Sequence, residues 1–398
     1  MRVLFTTTPY PTHFQPLVPL ARAAEHAGHE VAFATPSRLC AMVTAAGFRA
    51  FPAGYDDPAV GGADPPIPEL RDAPAGLAIR PWNHAYRWRG MPVERMARDL
   101  LPIMREWQPG VVVREPMEFG GPLVAEHLGL PHAVAGALWF LTDDFEASIG
   151  RVGSRLPALR RAYGLPPEAD ATMAYRYLTL AAMPRDWPAA DEPVPPTAHF
   201  FRPDAYAVAD ETLPAWVGVL PAQPTVHATL GTVFNQTPGL YAAIIAALRD
   251  EPVNLVVAVG RDQDPAAFGP QPPNVRIERF IPHTALLPCC DLVVTHGGYG
   301  TLMATLRQGL PVVVLPIMGD QPRNAQRCAD LGAGRVVGPE DRTPEAIRTA
   351  VRAVLTTPAY RQNAGRLRDE LAALPGPEYA VSLLERLAAE RQPIVAAW

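Results

Sequence analysis

The chain of 398 residues contains no lysine, so all 35 of its basic side chains are arginines. Without an amine side chain the protein cannot form a pyridoxal Schiff base or follow a lysine-dependent aldolase mechanism. The P-loop pattern G-x-x-x-x-G-K-[ST] is excluded for the same reason. The 40 acidic residues give a net charge of −5, and because no basic run is present the sequence predicts no nucleic-acid partner.

Cysteines and long apolar runs are also scarce. Cys40, Cys289, Cys290 and Cys328 show no C-x-x-C spacing, which favours free thiols in a reducing cytosol. No apolar stretch reaches the roughly 18 residues of a membrane span, so no integral membrane segment is predicted. The first residues run directly into a strand-like pattern at 2–6, so we expect no signal peptide and a cytoplasmic location.

Short apolar runs alternate with helix-length amphipathic stretches through most of the chain, which predicts an α/β protein with parallel sheets between helices. Two breaks interrupt this alternation, a Pro- and Gly-rich segment at 54–92 and a proline-rich segment at 183–224. If the second break is a linker, two Rossmann-like domains whose parallel sheets face a cleft are predicted. Their expected bounds are 1–205 and 206–375, and we expect a tail at 376–398 to pack back on the first domain.

The strongest local motif is the run THGGYGT at 295–301, which lies between an apolar run and a helix-length stretch. A strand, a glycine-rich turn and a helix start present free N–H groups and the positive helix end to an anion. The motif therefore predicts a phosphate site, although an ordinary tight turn gives the same local pattern. Because the chain has no lysine, we expect His296 and the helix dipole to supply the positive charge that stabilises the phosphate. Met303 replaces the third small residue of a dinucleotide fingerprint, which argues against a dehydrogenase.

Two polar residues follow strands of the predicted first domain. His13 lies in the loop after the first strand, and Glu115 comes after the apolar run 111–113. Because the carboxyl ends of parallel strands meet at one edge of a sheet, we expect Glu115 to approach His13 and to orient it, as the acid does in a triad. A neutral imidazole there can take a proton near pH 7. The alternatives are a solvated loop histidine and a surface carboxylate paired to Arg114.

Three further patterns have a functional and a structural interpretation. Asp320 and Gln321 stand at the start of a predicted helix that follows a strand. They either bind sugar hydroxyls, or Asp320 serves only as the N-cap of the helix. The D-x-D at 262–264 has the spacing of some metal sites, but such short acidic patterns are common by chance, and no metal is predicted. Several aromatic residues are candidates for an acceptor pocket, with core packing as the alternative for at least half of them. These residues are Trp82, Tyr86, Trp88, Trp139, Phe140 and Phe145.

The run HGGYGTLMATLRQGLPVVVLPIMGDQPRNAQ at 296–326 resembles the donor-binding signature of family 1 glycosyltransferases with the GT-B fold. It looks most like bacterial enzymes that attach deoxysugars to antibiotics and other secondary metabolites. Residues 279–283, the strand end 229–232, the opening His13-x-x-Pro16 and residues 113–116 also fit. The resemblance thus covers nearly the whole chain, and it implies a GT-B fold.

The resemblance implies a role for each matching residue. His13 matches the general base, and Glu115 stands where the family usually has an Asp that pairs with it. The residues that match diphosphate contacts are Thr232, His296, Gly298, Gly300 and Thr301. Phe280 and Ile281 match the site of the nucleotide base, and Asp320 and Gln321 match contacts to the donor sugar. Plant members have a Glu for the ribose hydroxyls where this chain has Ala304, so a dTDP-sugar is favoured over a UDP-sugar.

These matches predict an inverting glycosyltransferase of the hexosyltransferase type, which moves a deoxysugar from a dTDP-sugar to a hydroxyl of a hydrophobic natural product. The expected partners are the nucleotide-sugar co-substrate and a small-molecule acceptor. No cofactor is expected, and a homodimer is left open. Two alternatives also stay open: a catalytically inactive GT-B protein that binds a nucleotide or assists another enzyme, and a GT-B-like sugar-nucleotide epimerase, which would form product from the donor alone.

Overall fold

The chain divides into two compact units, Met1–Tyr206 together with Leu374–Trp398, and Ala207–Ala373. The computed structural model describes residues 1–56, 91–136, 156–167, 171–204, 212–232 and 235–397. Both units are α/β, with all described strand pairs parallel, so the predicted fold class is confirmed. Within the described residues, no helix is both long and apolar enough to cross a membrane.

The first unit is built on a sheet whose described strands have the order β3-β2-β1-β4-β5-β6-β7. Every residue of β4 and β5 is buried, as expected for central strands covered on both faces. Because β1 and β4 are neighbours, the segments that follow them share one edge of the sheet. The strands are β1 (Arg2–Thr6), β2 (Glu30–Thr35), β3 (Arg49–Pro52), β4 (Val111–Arg114), β5 (His132–Gly136), β6 (Leu178–Ala181) and β7 (Ala198–Phe200).

Helical structure after β1 begins earlier than the sequence predicts. The expected loop around His13 is instead a short helix, which a 3-10 turn at Gln15–Leu17 joins to the next one. Pro11 stands at the first position of this helix, where its fixed φ favours a helical start and no N–H is needed. The described helices up to residue 167 are α1 (Pro11–Phe14), α2 (Val18–His26), α3 (Ser37–Ala45), α4 (Met91–Trp107), α5 (Gly120–His127) and α6 (Leu156–Ala162).

The second unit has a sheet whose described strands have the order β10-β9-β8-β11-β12-β13. The strands are β8 (Thr225–Thr229), β9 (Asn254–Ala258), β10 (Val275–Glu278), β11 (Leu292–Thr295), β12 (Val312–Val314) and β13 (Gly334–Val336). The helices are α7 (Leu240–Leu248), α8 (His283–Leu286), α9 (Tyr299–Arg307), α10 (Gln321–Asp330), α11 (Pro344–Thr356) and α12 (Pro358–Ala373). Because the strands of this sheet are parallel, the segments after β8, β10, β11 and β12 begin at the same edge.

The C-terminal helix α13 (Pro377–Glu390) belongs to the first unit and packs against α2. Its apolar side is part of the same buried cluster as β1 and β4, with Leu384 and Leu387 fully buried. After α13, the backbone carbonyl of Ile394 lies 3.0 Å from Nε2 of His199 in β7. The two ends of the chain are thus folded into one unit.

Candidate active site

His13 and Glu115 come together at the carboxyl edge of the first sheet. His13 lies in α1, shortly after β1, and Glu115 directly follows β4. Nδ1 of His13 lies 2.9 Å from Oε2 of Glu115. The histidine side chain is 24% exposed and the glutamate side chain 1%. Glu115 is therefore not a surface carboxylate, and its hydrogen bond orients an imidazole that is open to solvent on one side.

Two backbone N–H groups hold the carboxylate of Glu115 in place. The N–H of Thr8 donates to Oε1 at 3.3 Å, and the N–H of Met117 donates to Oε2 at 2.7 Å. Burial raises the pKa of Glu115, but the charge and hydrogen bond of His13 and the Met117 N–H outweigh it, so the pKa lies below its ordinary value. An ionised carboxylate only accepts hydrogen bonds, so in a neutral His13 the proton sits on Nδ1 and the lone pair on Nε2.

A second buried carboxylate, Glu118, anchors the same loop and was not predicted from the sequence. It accepts the hydroxyl of Thr6 at 2.6 Å and the N–H groups of Gly120 and Gly121 at 2.5 and 2.9 Å. Glu118 thus caps the start of α5 and ties it to β1. A Cβ on Gly121 would lie 2.5 Å from Oε2 of Glu118, so this contact requires glycine there. An acidic residue two positions before a Gly-Gly helix start is the sequence signal that indicates such a cap.

In the second unit, the glycine turn joins β11 to α9 as predicted. Gly297 has φ +89°, and a Cβ on it would lie 2.6 Å from Cγ1 of Val314, so only glycine fits. Gly298 is the N-cap residue of α9, which is nine residues long. The first N–H groups of a helix have no acceptor within the helix, so Gly300 and Thr301 lie where an anion can be bound.

His296 lies beneath two glycine turns. A Cβ on Gly231 would lie 2.6 Å from its Cε1, and a Cβ on Gly298 would collide with its Nε2. Burial lowers the pKa of His296 to about 4, so the imidazole is neutral at pH 7. Burial thus disfavours the charged form of His296 in the free protein. It can still act as a neutral N–H donor.

Asp320 and Gln321 stabilise the loops around the glycine turn. Oδ2 of Asp320 accepts the N–H of Tyr299 at 3.2 Å and the amide of Asn324 at 2.7 Å. The aspartate thus caps the neighbouring helix α9, while its side chain does not cap α10, the helix that it precedes. Gln321 is buried, and its Oε1 accepts two backbone N–H groups of the preceding turn at 2.8 and 2.9 Å.

Three other predicted donor contacts follow β8 and β10. Thr232 is exposed and comes directly after Gly231. Phe280 is 42% exposed, which leaves aromatic surface for stacking, whereas Ile281 is buried. The guanidinium carbon of Arg261 lies 3.9 Å from the centre of the Phe280 ring. No sequence pattern indicates this contact, because the two residues are brought together only by the pairing of β9 with β10.

The D-x-D segment has a structural role in the described residues. The Asp264 side chain accepts the N–H of Ala266 at 3.2 Å and lies 3.6 Å from Arg279. It caps the short 3-10 helix Pro265–Phe268. Among the residues that the structure describes, no group of three or more His, Cys, Asp or Glu side chains is arranged to hold a metal ion.

The predicted acceptor residues lie outside the described part of the chain. They are Trp82, Tyr86, Trp88, Trp139, Phe140 and Phe145. Of the predicted site, the structure therefore brings together the His13–Glu115 pair in one unit. In the other unit it brings together the glycine turn, His296 and the Asp320–Gln321 pair.

Comparison with solved structures identifies the fold. The two units match the glycosyltransferase VinC, whose structure contains dTDP, with a TM-score of 0.80 and 26% sequence identity over 98% of this chain and 100% of VinC. Structures of this kind have the GT-B fold, so the predicted fold is confirmed. The class defined by this fold and by the two groups of residues is that of nucleotide-sugar-dependent glycosyltransferases.

The family follows from two sequence matches. Residues 77–190 match the N-terminal domain of the erythromycin biosynthesis protein CIII-like family, and residues 243–387 match its C-terminal domain. The chain is 34% identical to the 4'-demethylrebeccamycin synthase of Lentzea aerocolonigenes, over 97% of this chain and 99% of that protein. It is 32% identical to the 10-deoxymethynolide desosaminyltransferase of Streptomyces venezuelae, over 98% of both. The chain belongs to the erythromycin biosynthesis protein CIII-like family of glycosyltransferases.

Proposed function

We propose that this protein is an inverting glycosyltransferase that moves a deoxysugar from a dTDP-sugar to a hydroxyl of a hydrophobic natural product. The observation that carries the proposal is the contact of 2.9 Å between a partly exposed His13 and a buried, ionised Glu115. The name of the desosaminyltransferase relative describes sugar transfer to such a molecule, and the VinC structure contains dTDP. The relative's name supports sugar transfer, and the dTDP in VinC supports a dTDP-sugar donor for this chain.

His13 is the general base in this proposal. Nε2 takes the proton of the acceptor hydroxyl while the hydroxyl oxygen forms a bond to the anomeric carbon. The bond between that carbon and the diphosphate oxygen breaks on the opposite face, and its electron pair leaves with the dTDP. One displacement inverts the anomeric centre, and the carbon passes through an oxocarbenium-like state. Glu115 holds the imidazole with Nε2 unprotonated and stabilises the imidazolium that forms.

The second unit holds the nucleotide in this proposal. The start of α9 offers the N–H groups of Gly300 and Thr301 and the positive end of the helix to the diphosphate. His296 and Thr232 add an imidazole N–H and a hydroxyl. No metal or cofactor is required, because the backbone and these two side chains supply the hydrogen-bond donors.

In this proposal, other residues of the second unit bind the thymine base and the sugar of the donor. The exposed ring of Phe280 stacks on the thymine, with Ile281 beneath the same segment. Asp320 and Gln321 contact the donor sugar. Because Asp320 also binds the start of α9 and Gln321 binds the turn before it, both side chains have fixed positions.

The direct test is a transfer assay with dTDP-glucose and dTDP-rhamnose as donors. The acceptors are 10-deoxymethynolide and a panel of aliphatic and phenolic aglycones. We expect release of dTDP that depends on the acceptor, and a product whose anomeric configuration, read by NMR, is opposite to that of the donor. Retention of configuration would contradict direct displacement. Binding of dTDP without transfer to any acceptor would favour the inactive GT-B protein, and a new sugar nucleotide formed from donor alone would favour the epimerase.

A further inference from the structure

Arg114 ends β4 and stands directly before Glu115, yet its side chain is fully buried. The three residues before it, Val111–Val113, are also fully buried, so an apolar residue would continue the pattern of the strand. Burying a guanidinium is unfavourable unless its donors are satisfied. Strand packing therefore does not explain why an arginine stands at this position. The explanation lies in the contacts that its side chain makes.

The guanidinium binds the backbone of the loop that carries Glu115. Nη1 donates to the carbonyls of Glu115, Pro116 and Glu118 at 3.1, 2.7 and 3.3 Å. Nη2 donates to the carbonyl of Ala174 at 2.9 Å. Within the described residues these hydrogen bonds go to carbonyls and none goes to a carboxylate. One side chain thus fixes the direction of three peptide groups in the loop at 115–118.

This orientation determines how Glu115 is held. With its carbonyls turned towards Arg114, the loop turns the N–H of Met117 towards Oε2 of Glu115, at 2.7 Å. The same oxygen accepts the hydrogen bond from His13 at 2.9 Å. A change in the loop would therefore move the carboxylate that orients the imidazole.

Arg114 also places a fixed positive charge beside the pair. The titratable groups around the guanidinium are Glu115, Glu118, the phenol of Tyr175 and His132. Burial lowers the pKa of Arg114, while Tyr175 and the two glutamates oppose this shift. An arginine starts from so high a pKa that it stays charged at neutral pH. Its charge opposes the uptake of a proton by the neighbouring His13–Glu115 pair.

We propose that Arg114 is a positioning residue for the His13–Glu115 pair. Its Nη1 group fixes the loop that presents Glu115, and its charge keeps the pair in its proton-accepting form to lower pH. The inference rests on the proposed function, because it concerns the residue that supports the base. Arg114 itself touches no substrate in this mechanism.

The test compares Arg114→Met, Arg114→Lys and the control Arg160→Met in the full-length enzyme. Arg160 is another fully buried arginine of the same unit, and it binds Glu126 at 2.9 Å and the Pro166 carbonyl at 2.8 Å. Its replacement also removes a buried charge, and both of these contacts lie outside the loop at 115–118. Steady-state kcat and KM are measured with dTDP-glucose, or with the most active donor and acceptor found, below the unfolding temperature of the least stable variant.

We expect Arg114→Met to lower kcat about 10- to 100-fold relative to Arg160→Met, because misplacement of a catalytic group by about 1 Å has an effect of this size. The KM for the donor should stay within about 3-fold, since the nucleotide contacts lie in the other unit. Lysine keeps the charge but loses the fork. Arg114→Lys should therefore also lose kcat, while the acid limb of its kcat/KM profile lies at lower pH than that of Arg114→Met.

Two results would overturn the inference. One is a kcat of Arg114→Met, or of Arg114→Lys if the Met variant does not fold, that equals the kcat of Arg160→Met. The other is an acid limb at the same pH in the Lys and Met variants. Failure of the proposed function is distinguished by His13→Ala. If that variant keeps full turnover, His13 is not the base, whatever the arginine variants do.

Discussion

At the scale of single residues, Glu115 carries one methylene more than the aspartate that the resemblance to family 1 glycosyltransferases implies at this position. The longer side chain still reaches His13 at 2.9 Å, because the N–H groups of Thr8 and Met117 fix the carboxylate. The replacement of Asp by Glu is therefore accommodated by the loop at 115–118, and the carboxylate can orient the imidazole.

Replacement of His13 by alanine should abolish most of the turnover and leave nucleotide binding intact. Loss of a general base lowers a rate by about 10²- to 10⁴-fold. The nucleotide contacts proposed for the second unit do not include His13, so the dissociation constant of dTDP, measured by calorimetry, should not change. Glu115→Gln should lower kcat less than His13→Ala, because the amide oxygen can still accept from Nδ1. Near-normal turnover of His13→Ala on an aliphatic hydroxyl at pH 7 would contradict this role.

Ala304 allows a test of the proposed preference for thymidine nucleotides. It lies half-buried in α9, where plant members of the resembling family have a glutamate for the ribose hydroxyls. Ala304→Glu should strengthen binding of UDP relative to dTDP, because a carboxylate can accept from the 2'-hydroxyl that only UDP carries. Competitive calorimetry with both nucleotides measures the ratio, and Ala304→Gln serves as the neutral control. An unchanged ratio would place Ala304 away from the ribose.

At the scale of elements, the turn between β11 and α9 contains two glycines with different physical requirements. Gly297 needs glycine for its positive φ and for the space beside Val314, whereas a Cβ on Gly300 meets no atom within 4 Å. Gly297→Ala should therefore lower the melting temperature. Gly300→Ala should keep it and weaken dTDP binding, since its methyl group would stand where the phosphate approaches. Calorimetric melting and dTDP titration of both variants separate the two roles, and full dTDP affinity in Gly300→Ala would argue against a phosphate contact there.

The start of α9 also makes a prediction about metal ions. If N–H groups at Gly300 and Thr301 and the helix dipole bind the diphosphate, no divalent cation is needed to neutralise it. Transfer activity should therefore be the same in excess EDTA and in millimolar Mg²⁺. Complete loss of activity in EDTA that Mg²⁺ restores would contradict this expectation.

At the scale of the whole molecule, buried histidines of the second unit should make stability depend on pH. Burial lowers the pKa of His227 and His296 to about 4 and that of His283 to about 3, with the charge of His227 contributing at His283. An unfolded histidine has a pKa near 6.5, so the unfolded chain takes up these protons first as the pH falls. The stabilisation is complete above about pH 6.5 and is lost as the pH falls towards 4.

Each of these histidines should contribute a slope of up to about 1.4 kcal/mol per pH unit to the free energy of unfolding in this window. Urea unfolding of the wild type and of His283→Gln between pH 7.5 and 5 measures the difference, because most carboxylates stay ionised there. A smaller pH dependence in His283→Gln is the expected result. Equal slopes would show that this histidine titrates normally in the folded protein.

Sequence patterns predicted regular elements best where they are long and buried. The strands β4, β9, β11 and β12 appear where apolar runs stand, because a strand buried on both faces is mostly apolar. β13 was not predicted, since it has three residues and two of them are exposed. The proline-rich segment at 183–224, interpreted as a linker, contains β7, an edge strand of the first sheet. Its short length gave no periodicity to detect.

The sequence by itself determined the fold class and the glycine turn, because burial periodicity and the φ preference of glycine are local properties. It also named His13, Glu115 and Asp320, since strand ends indicate which edge of a sheet a residue occupies. Only the tertiary structure decided which groups these residues contact and which charges they carry. Asp320 caps α9, His296 loses its positive charge through burial, and Arg114 binds three carbonyls around the candidate base, because each depends on neighbours that are distant in sequence or hidden from solvent.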